Sequence, residues 1–332
     1  MSALFRLLPF LFPPFLFLSL TGCVPIAVQS GRSEALNLAG PAPDVVLLSV
    51  SGRCGPPCVA PRDNWDYLTS RGTVDAVADE LGAAGLSVQV AGYASNAAAQ
   101  FESLQARTPQ RGFGALLADF ERLKNGWMKA PHPPRLVLLG HSQGVAWLHY
   151  LTRLHSEVPV ALQIDLDGIC TAWRADHAAG VRGLPAPQGG LPSALSACDS
   201  LSVPGAPLLT RGSLSLKDVV WPNVAANLEV QSKRLPARTN GSGLLINYLF
   251  DPARNARLDG GAAGIQTYVS AREDHSAVSY PGSDAVKWVR GQIRPRAQEW
   301  KVQQGAMPTK SALAPAPAIL PPGPPETMPA AP

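Results

Sequence analysis

Charge is scarce in this sequence. Only 16% of its 332 residues are Asp, Glu, Lys or Arg, and the net charge is +4. The basic residues are scattered, so the concentrated positive face by which proteins hold nucleic acid is missing. Aromatic residues are few too, at 7%. No repeat of about 20 to 50 residues recurs, which excludes solenoids and propellers. The longest greasy stretch, Leu7 to Leu18, is broken by Pro9, Pro13 and Pro14. A permanent membrane-crossing helix, which needs about 20 apolar residues, fits there poorly. No histidine stands at finger-like spacing from a cysteine pair, so no metal site is expected. The Cys54-x-x-x-Cys58 spacing is one residue too long for a thioredoxin-type redox motif.

What is present is enough apolar material for a sizeable core, 46% of the chain. Arg6 followed by the Leu7–Leu18 run has the form of a signal peptide. It ends in Leu20-Thr21-Gly22-Cys23, which resembles the bacterial lipobox, where cleavage precedes a lipid-modified cysteine. That resemblance implies a signal peptide over 1–22, a lipid on Cys23, and a bacterial envelope lipoprotein outside the cytoplasm. Small and polar residues then form a tether over 23–43, and a Pro- and Ala-rich stretch over 303–332 reads as a disordered tail. The folded body is expected over 44–302. Its cysteines, Cys54, Cys58, Cys170 and Cys198, suit structural disulfides in an exported chain, and sequence proximity favours Cys54–Cys58 and Cys170–Cys198.

Within the body, apolar runs alternate with helical stripes. Val45 to Val50 and Arg135 to Leu139 read as strands buried on both faces, with further strands at Leu86 to Val90 and Val160 to Leu166. Between them, Val74, Val77, Ala78 and Leu81 mark one helix, and Phe113, Leu116, Leu117, Phe120 and Leu123 another. This alternation predicts an α/β domain with a parallel sheet. Residues 171–220, rich in Gly, Pro and Ser, break the rhythm and suggest a cap or a loose loop over the sheet. Weak strand signals return at Leu228 to Gln231 and Leu244 to Leu249, and a clear one at Ile265 to Ser270. A last helix carries Ala285, Val286, Trp288 and Val289.

Gly140-His141-Ser142-Gln143-Gly144 directly follows a buried strand and opens an amphipathic helix bearing Val145, Leu148 and Leu151. A Gly-x-Ser-x-Gly string in that context is a nucleophile elbow, in which the strand reverses sharply and leaves the serine strained and accessible. On these residues the chain resembles the α/β-hydrolase superfamily of lipase- and esterase-like serine hydrolases. The resemblance implies a mostly parallel sheet flanked by helices, with a cap or loop insertion after the strand ending at Asp167; the first two strands usual in the superfamily are not evident in this sequence, which suggests a trimmed sheet. It implies Ser142 as nucleophile and an oxyanion hole from the N–H of Gln143 and that of Arg53. The Ser51-Gly52-Arg53 loop lacks the His-Gly pair common there.

A serine hydroxyl needs a base. Of the six histidines, His275 follows the last strand, where the resemblance puts the catalytic histidine; His177 is the next to examine. Superfamily order puts the acid between Ser142 and His275. Asp165 and Asp167 both end one strand, and Asp251 follows the Leu244 to Leu249 signal. Asp167 is favoured because it emerges at the strand end and Gly168 lets the chain turn away. Asp165 lies deeper, where its charge requires partners. The expected activity is hydrolysis of a carboxylic ester or related acyl bond of a small or lipid-like substrate, with no cofactor. The alternative is a catalytically silent lipoprotein using the same fold to bind a ligand or partner at the cell surface. Because the acyl chains on Cys23 supply the anchor, Cys23→Ser is expected to move the protein from the membrane fraction to the soluble one. A variant that still sediments with membranes would end the lipoprotein reading.

Overall fold

The computed structural model describes residues 35–55, 57–202, 213–232 and 253–306. Cys23, the signal segment, most of the tether, Leu244 to Leu249, Asp251 and the tail from 307 lie outside the described residues.

In chain order the central strands are β1 (Val45–Val50), β2 (Val88–Tyr93), β5 (Arg135–His141), β6 (Leu162–Leu166), β10 (Asn227–Ser232) and β12 (Ile265–Ser270). The intervening numbers belong to six short strands in three pairs: the antiparallel pairs β3 (Gln100–Ser103) with β4 (Thr108–Arg111) and β7 (Ser200–Ser202) with β8 (Ser213–Ser215), and the parallel pair β9 (Val219–Val220) and β11 (Ala256–Arg257). The central strands form one six-stranded sheet in the order β12-β10-β6-β5-β1-β2. Every neighbouring pair in it is parallel. Helices are α1 (Tyr67–Ser70), α2 (Thr73–Gly82), α3 (Phe113–Asn125), α4 (Gln143–Leu154), α5 (Trp173–His177) and α6 (Asp284–Ala306).

The apolar run of β1, interrupted by Ser49 alone, follows from this layering. Val46, Leu48 and Val50 pack on one face with α3 and α4, while Val45 and Leu47 pack on the other with α2 and α6. Successive strand side chains point to opposite faces, so a strand covered by helices on both sides is apolar at most positions. Each fully buried aliphatic side chain contributes roughly 2 kcal/mol against the cost of ordering the chain. Helix α4 is buried from Gln143 through Arg153 rather than along one stripe, because the 171–220 segment covers its outer side. Among its described residues that segment carries α5, short 3-10 turns and the antiparallel β7–β8 pair.

Several boundaries differ from those drawn on the sequence. The packed body begins before residue 44: Leu36 is buried in the core, and Trp127 Nε1 donates to the Gly40 carbonyl. At the other end α6 runs to Ala306, past 302, with Pro295 inside it. Arg290 and Arg294 of α6 both hold the buried Glu80 of α2, and the Arg294 hydrogen bond in particular keeps that carboxyl below the usual range. The β3–β4 hairpin left no signal in the sequence, since its strands are polar and half-exposed.

Both disulfides that proximity favours are present, Cys54–Cys58 and Cys170–Cys198. The second joins the start of the covering segment to its far side across 28 residues. Thiol titration of denatured, unreduced protein is expected to find no free group among these cysteines. Cys170→Ser is expected to lower unfolding stability by roughly 3 kcal/mol, read from denaturant midpoints under non-reducing conditions.

Candidate active site

The site begins with a close approach. Gly144 lies against β1 so tightly that a Cβ there would fall 1.9 Å from the Val50 carbonyl oxygen. With α4 held so close to the sheet, the turn between β5 and α4 must be abrupt. Ser142 takes it up at φ 59° and ψ −130°, a strained region for a residue with a side chain. Its N–H donates to the Leu166 carbonyl at 3.1 Å and its carbonyl accepts from Val145 N–H at 3.1 Å, which hold the strained turn in place. The serine is 1% exposed, and its Oγ has no hydrogen-bond partner among the described residues.

The loop after β1 crosses directly over it. A Cβ on Gly52 would fall 2.3 Å from the Ser142 Cβ, so only glycine allows that crossing. The Gly52 N–H donates to the Tyr67 hydroxyl at 2.7 Å, leaving Arg53 as the next residue along the loop. The Arg53 side chain turns away, with Nε 2.8 Å from Asp176 Oδ2 on α5. Gln143 stands at the first position of α4, where backbone N–H groups lack intrahelical acceptors. Its side-chain amide donates to Asp176 Oδ2 and the Thr171 carbonyl, and its Oε1 lies 3.1 Å from both Ser95 Oγ and His177 Nε2. Asp176 therefore joins the two residues expected to supply oxyanion donors, and fastens the covering segment above them.

Asp167 leaves the end of β6 at φ 47°. One carboxylate oxygen accepts from Ser232 N–H at 2.7 Å, and the other lies 2.7 Å from His275 Nδ1. His275 sits in the loop between β12 and α6. Glu273 anchors this loop by capping the N–H groups of Asp284 and Ala285 at the start of α6, where a carboxylate meets the positive end of the helix. The His275 ring stacks on that of His141, immediately before Ser142, with centroids 4.6 Å apart. Serine after a central strand, carboxylate after the next strand, histidine after the last: this is one order on one sheet edge.

The chain has the α/β-hydrolase fold.

Within this hydrolase fold, the other acidic and histidine residues weighed from the sequence find different surroundings. Asp165 is 2% exposed. It meets His149 Nε2 at 2.9 Å and the side-chain amides of Gln163, Asn227 and Asn255. That closed set faces the interior behind Asp167. His177, the last residue of α5, is buried, and burial drives its pKa down to about 4. Tyr67, Ser95 and Asp176 carry no local sequence signal, since each is brought to the site by a separate loop or helix.

No protein-family model matches the sequence, and no curated protein sequence does. Solved structures do. Est1E from Butyrivibrio proteoclasticus is 11% identical, covering 80% of this chain and 91% of its own, with a TM-score of 0.37. The esterase domain of a Rhodothermus marinus protein is 18% identical, covering 77% and 86%, with a TM-score of 0.36. EstE1, a thermostable carboxylesterase cloned from a metagenomic library, is 16% identical, covering 79% and 82%, with a TM-score of 0.39.

The buried His177 generates a pH prediction. Its folded pKa of about 4 lies below the ordinary 6.5, so between those values the unfolded chain binds more protons. Stability from this group is complete above pH ~6.5 and is lost as pH falls toward ~4, by roughly 3 kcal/mol across the window. Urea melts at stepped pH should show His177→Gln losing less stability than the parent on acidification.

Proposed function

We propose that the protein is an envelope-tethered serine hydrolase that cleaves a carboxylic ester or related acyl bond through an acyl-enzyme on Ser142. The observation that carries this reading is the 2.7 Å hydrogen bond from His275 Nδ1 to Asp167 beside the strained elbow serine. With Nδ1–H held by the carboxylate, the imidazole keeps Nε2 bare and able to accept a proton.

In the proposed reaction His275 Nε2 takes the Ser142 Oγ proton as Oγ bonds to the substrate carbonyl carbon. The carbonyl π electrons move to oxygen, giving a tetrahedral oxyanion. The N–H groups of Gln143 and Arg53 meet that charge, a contribution of about 3 kcal/mol per donor. Collapse breaks the bond to the leaving alcohol, which departs with the proton from His275. Water then repeats the sequence on the acyl-enzyme, releasing the acid and restoring Ser142. Asp167 stabilises the imidazolium that forms in each half.

The tethered location rests on the lipobox-like Leu20-Thr21-Gly22-Cys23 and is supported by two disulfides, which persist in oxidising compartments. No helix of the described residues is long and apolar enough to cross a membrane.

A fluorophosphonate probe tests the nucleophile, and p-nitrophenyl esters of increasing chain length test the substrate. Ser142 is expected to label in folded protein. Ser142→Ala and His275→Ala are each expected to lose roughly 10⁴-fold or more in turnover, and Asp167→Asn about 10⁴-fold, with folding kept by circular dichroism. An unlabelled Ser142 in folded protein would favour a silent binding protein. Near-normal turnover in Asp167→Asn with loss in Asp251→Asn would move the acid to the later position.

A further inference from the structure

His141, the residue between glycine and serine in the elbow, is buried and has a definite bonding pattern. Its Nε2 lies 2.7 Å from the backbone carbonyl oxygen of His275. A carbonyl only accepts, so Nε2 carries the hydrogen. The neutral ring then has a bare Nδ1, which lies 2.5 Å from the Tyr67 hydroxyl and accepts its hydrogen. The Tyr67 oxygen accepts in turn from the Gly52 N–H at 2.7 Å. The direction of donation is thus fixed along the chain, from Gly52 to Tyr67 to His141 to His275.

The chain touches each part of the proposed site. Gly52 crosses Ser142 and precedes Arg53; His141 precedes Ser142; His275 carries the base. We infer that Tyr67 and His141 are positioning residues, a neutral hydrogen-bonded strut that sets the base loop and the oxyanion loop at fixed distances from the nucleophile. This rests on the serine-hydrolase reading. The ring stack of His141 on His275, at an interplanar angle of 30°, adds a second restraint on the base. Arg71 closes the other side. Its guanidinium lies 4.5 Å from the ring centroids of Tyr67 and Tyr280, and its Nη1 donates to Ser279 Oγ at 2.9 Å, in the turn that follows His275.

Neutrality is part of the arrangement. A proton on Nδ1 would deprive the Tyr67 hydroxyl of its acceptor. It would also place a second cation against the imidazolium that His275 becomes during turnover, and like charges at stacking distance repel strongly away from water. Burial first, and the nearby His275 second, hold the His141 pKa well below the ordinary value. Burial likewise keeps the Tyr67 phenol protonated.

The test uses the full-length protein, with active sites counted by fluorophosphonate titration so that turnover is expressed per competent serine. Tyr67→Phe should lower kcat about 10-fold and His141→Ala about 100-fold, with KM within about threefold of the parent. His141→Gln, which can still donate to the His275 carbonyl, should recover about 10-fold over His141→Ala. Because the two side chains act through one strut, the double variant should be no slower than His141→Ala by more than about twofold. Parent-like kcat per labelled site in Tyr67→Phe would overturn the strut, as would fully multiplicative losses in the double variant. Should His141→Ala fail to fold, Tyr67→Phe decides alone, since it removes one oxygen and leaves the ring. Failure of the parent to label at Ser142 would instead remove the hydrolase reading on which the strut rests.

Discussion

The approach of α4 to β1 governs this molecule. With Gly144 set against the Val50 carbonyl, the helix starts almost at the sheet surface and the chain has only Ser142 in which to reverse. The strain at that residue is held by its bonds to Leu166 and Val145. The same proximity forces glycine at position 52, because the loop leaving β1 has nowhere to pass except across the serine. A larger residue at either position would push the loop, the helix or the nucleophile outward, and the geometry of the whole sheet edge would follow.

Around the elbow, several buried polar groups are paired, and the pairings have different uses. Asp165 and Asp167 stand two residues apart at the end of β6, and each meets a histidine. Asp165 and His149 are enclosed with Gln163, Asn227 and Asn255, and His149 Nδ1 also meets the Val219 carbonyl. A buried carboxylate with several donors is a structural device, joining β6, β10 and α4 to the covering segment. Asp167, past the end of the strand, has one oxygen fixed by Ser232 and the other free for His275, whose side chain is 14% exposed. Asp167 is thus the less enclosed of the two, at 7% exposed against 2% for Asp165.

The covering segment is bound at several levels. The Cys170–Cys198 bridge closes it covalently, Trp173 packs on Trp147 and donates to the Ala194 carbonyl, and Asp176 joins Arg53 to Gln143. Motion of α5 would break the Asp176 contacts first, because these are the ones that bridge from α5 to the loop after β1. The disulfide would still keep the segment over α4.

Much of this architecture was written locally. The runs of β1 and β5 were legible as strands covered on both sides, since they are short, rich in Val and Leu, and apolar at consecutive positions that point to opposite faces. The elbow was legible because its glycines, its strand and its helix are contiguous. The favoured disulfide pairing was equally legible, because nearby cysteines close short loops. The boundary at 44 was not, because Leu36 gains its burial only from a core assembled elsewhere. Sequence order left Asp165, Asp167 and Asp251 as candidates for the acid, and the contrast between Asp165 and Asp167 depends on which amides and which imidazole arrive from β10, α4 and the β12–α6 loop. Tyr67 and Asp176 were invisible for the same reason. Sequence determines what a residue can donate, accept or bury within its own element; which partner meets it across the sheet edge is decided only when remote segments pack, because hydrogen bonds act over about 3 Å and the chain separations involved carry no local pattern.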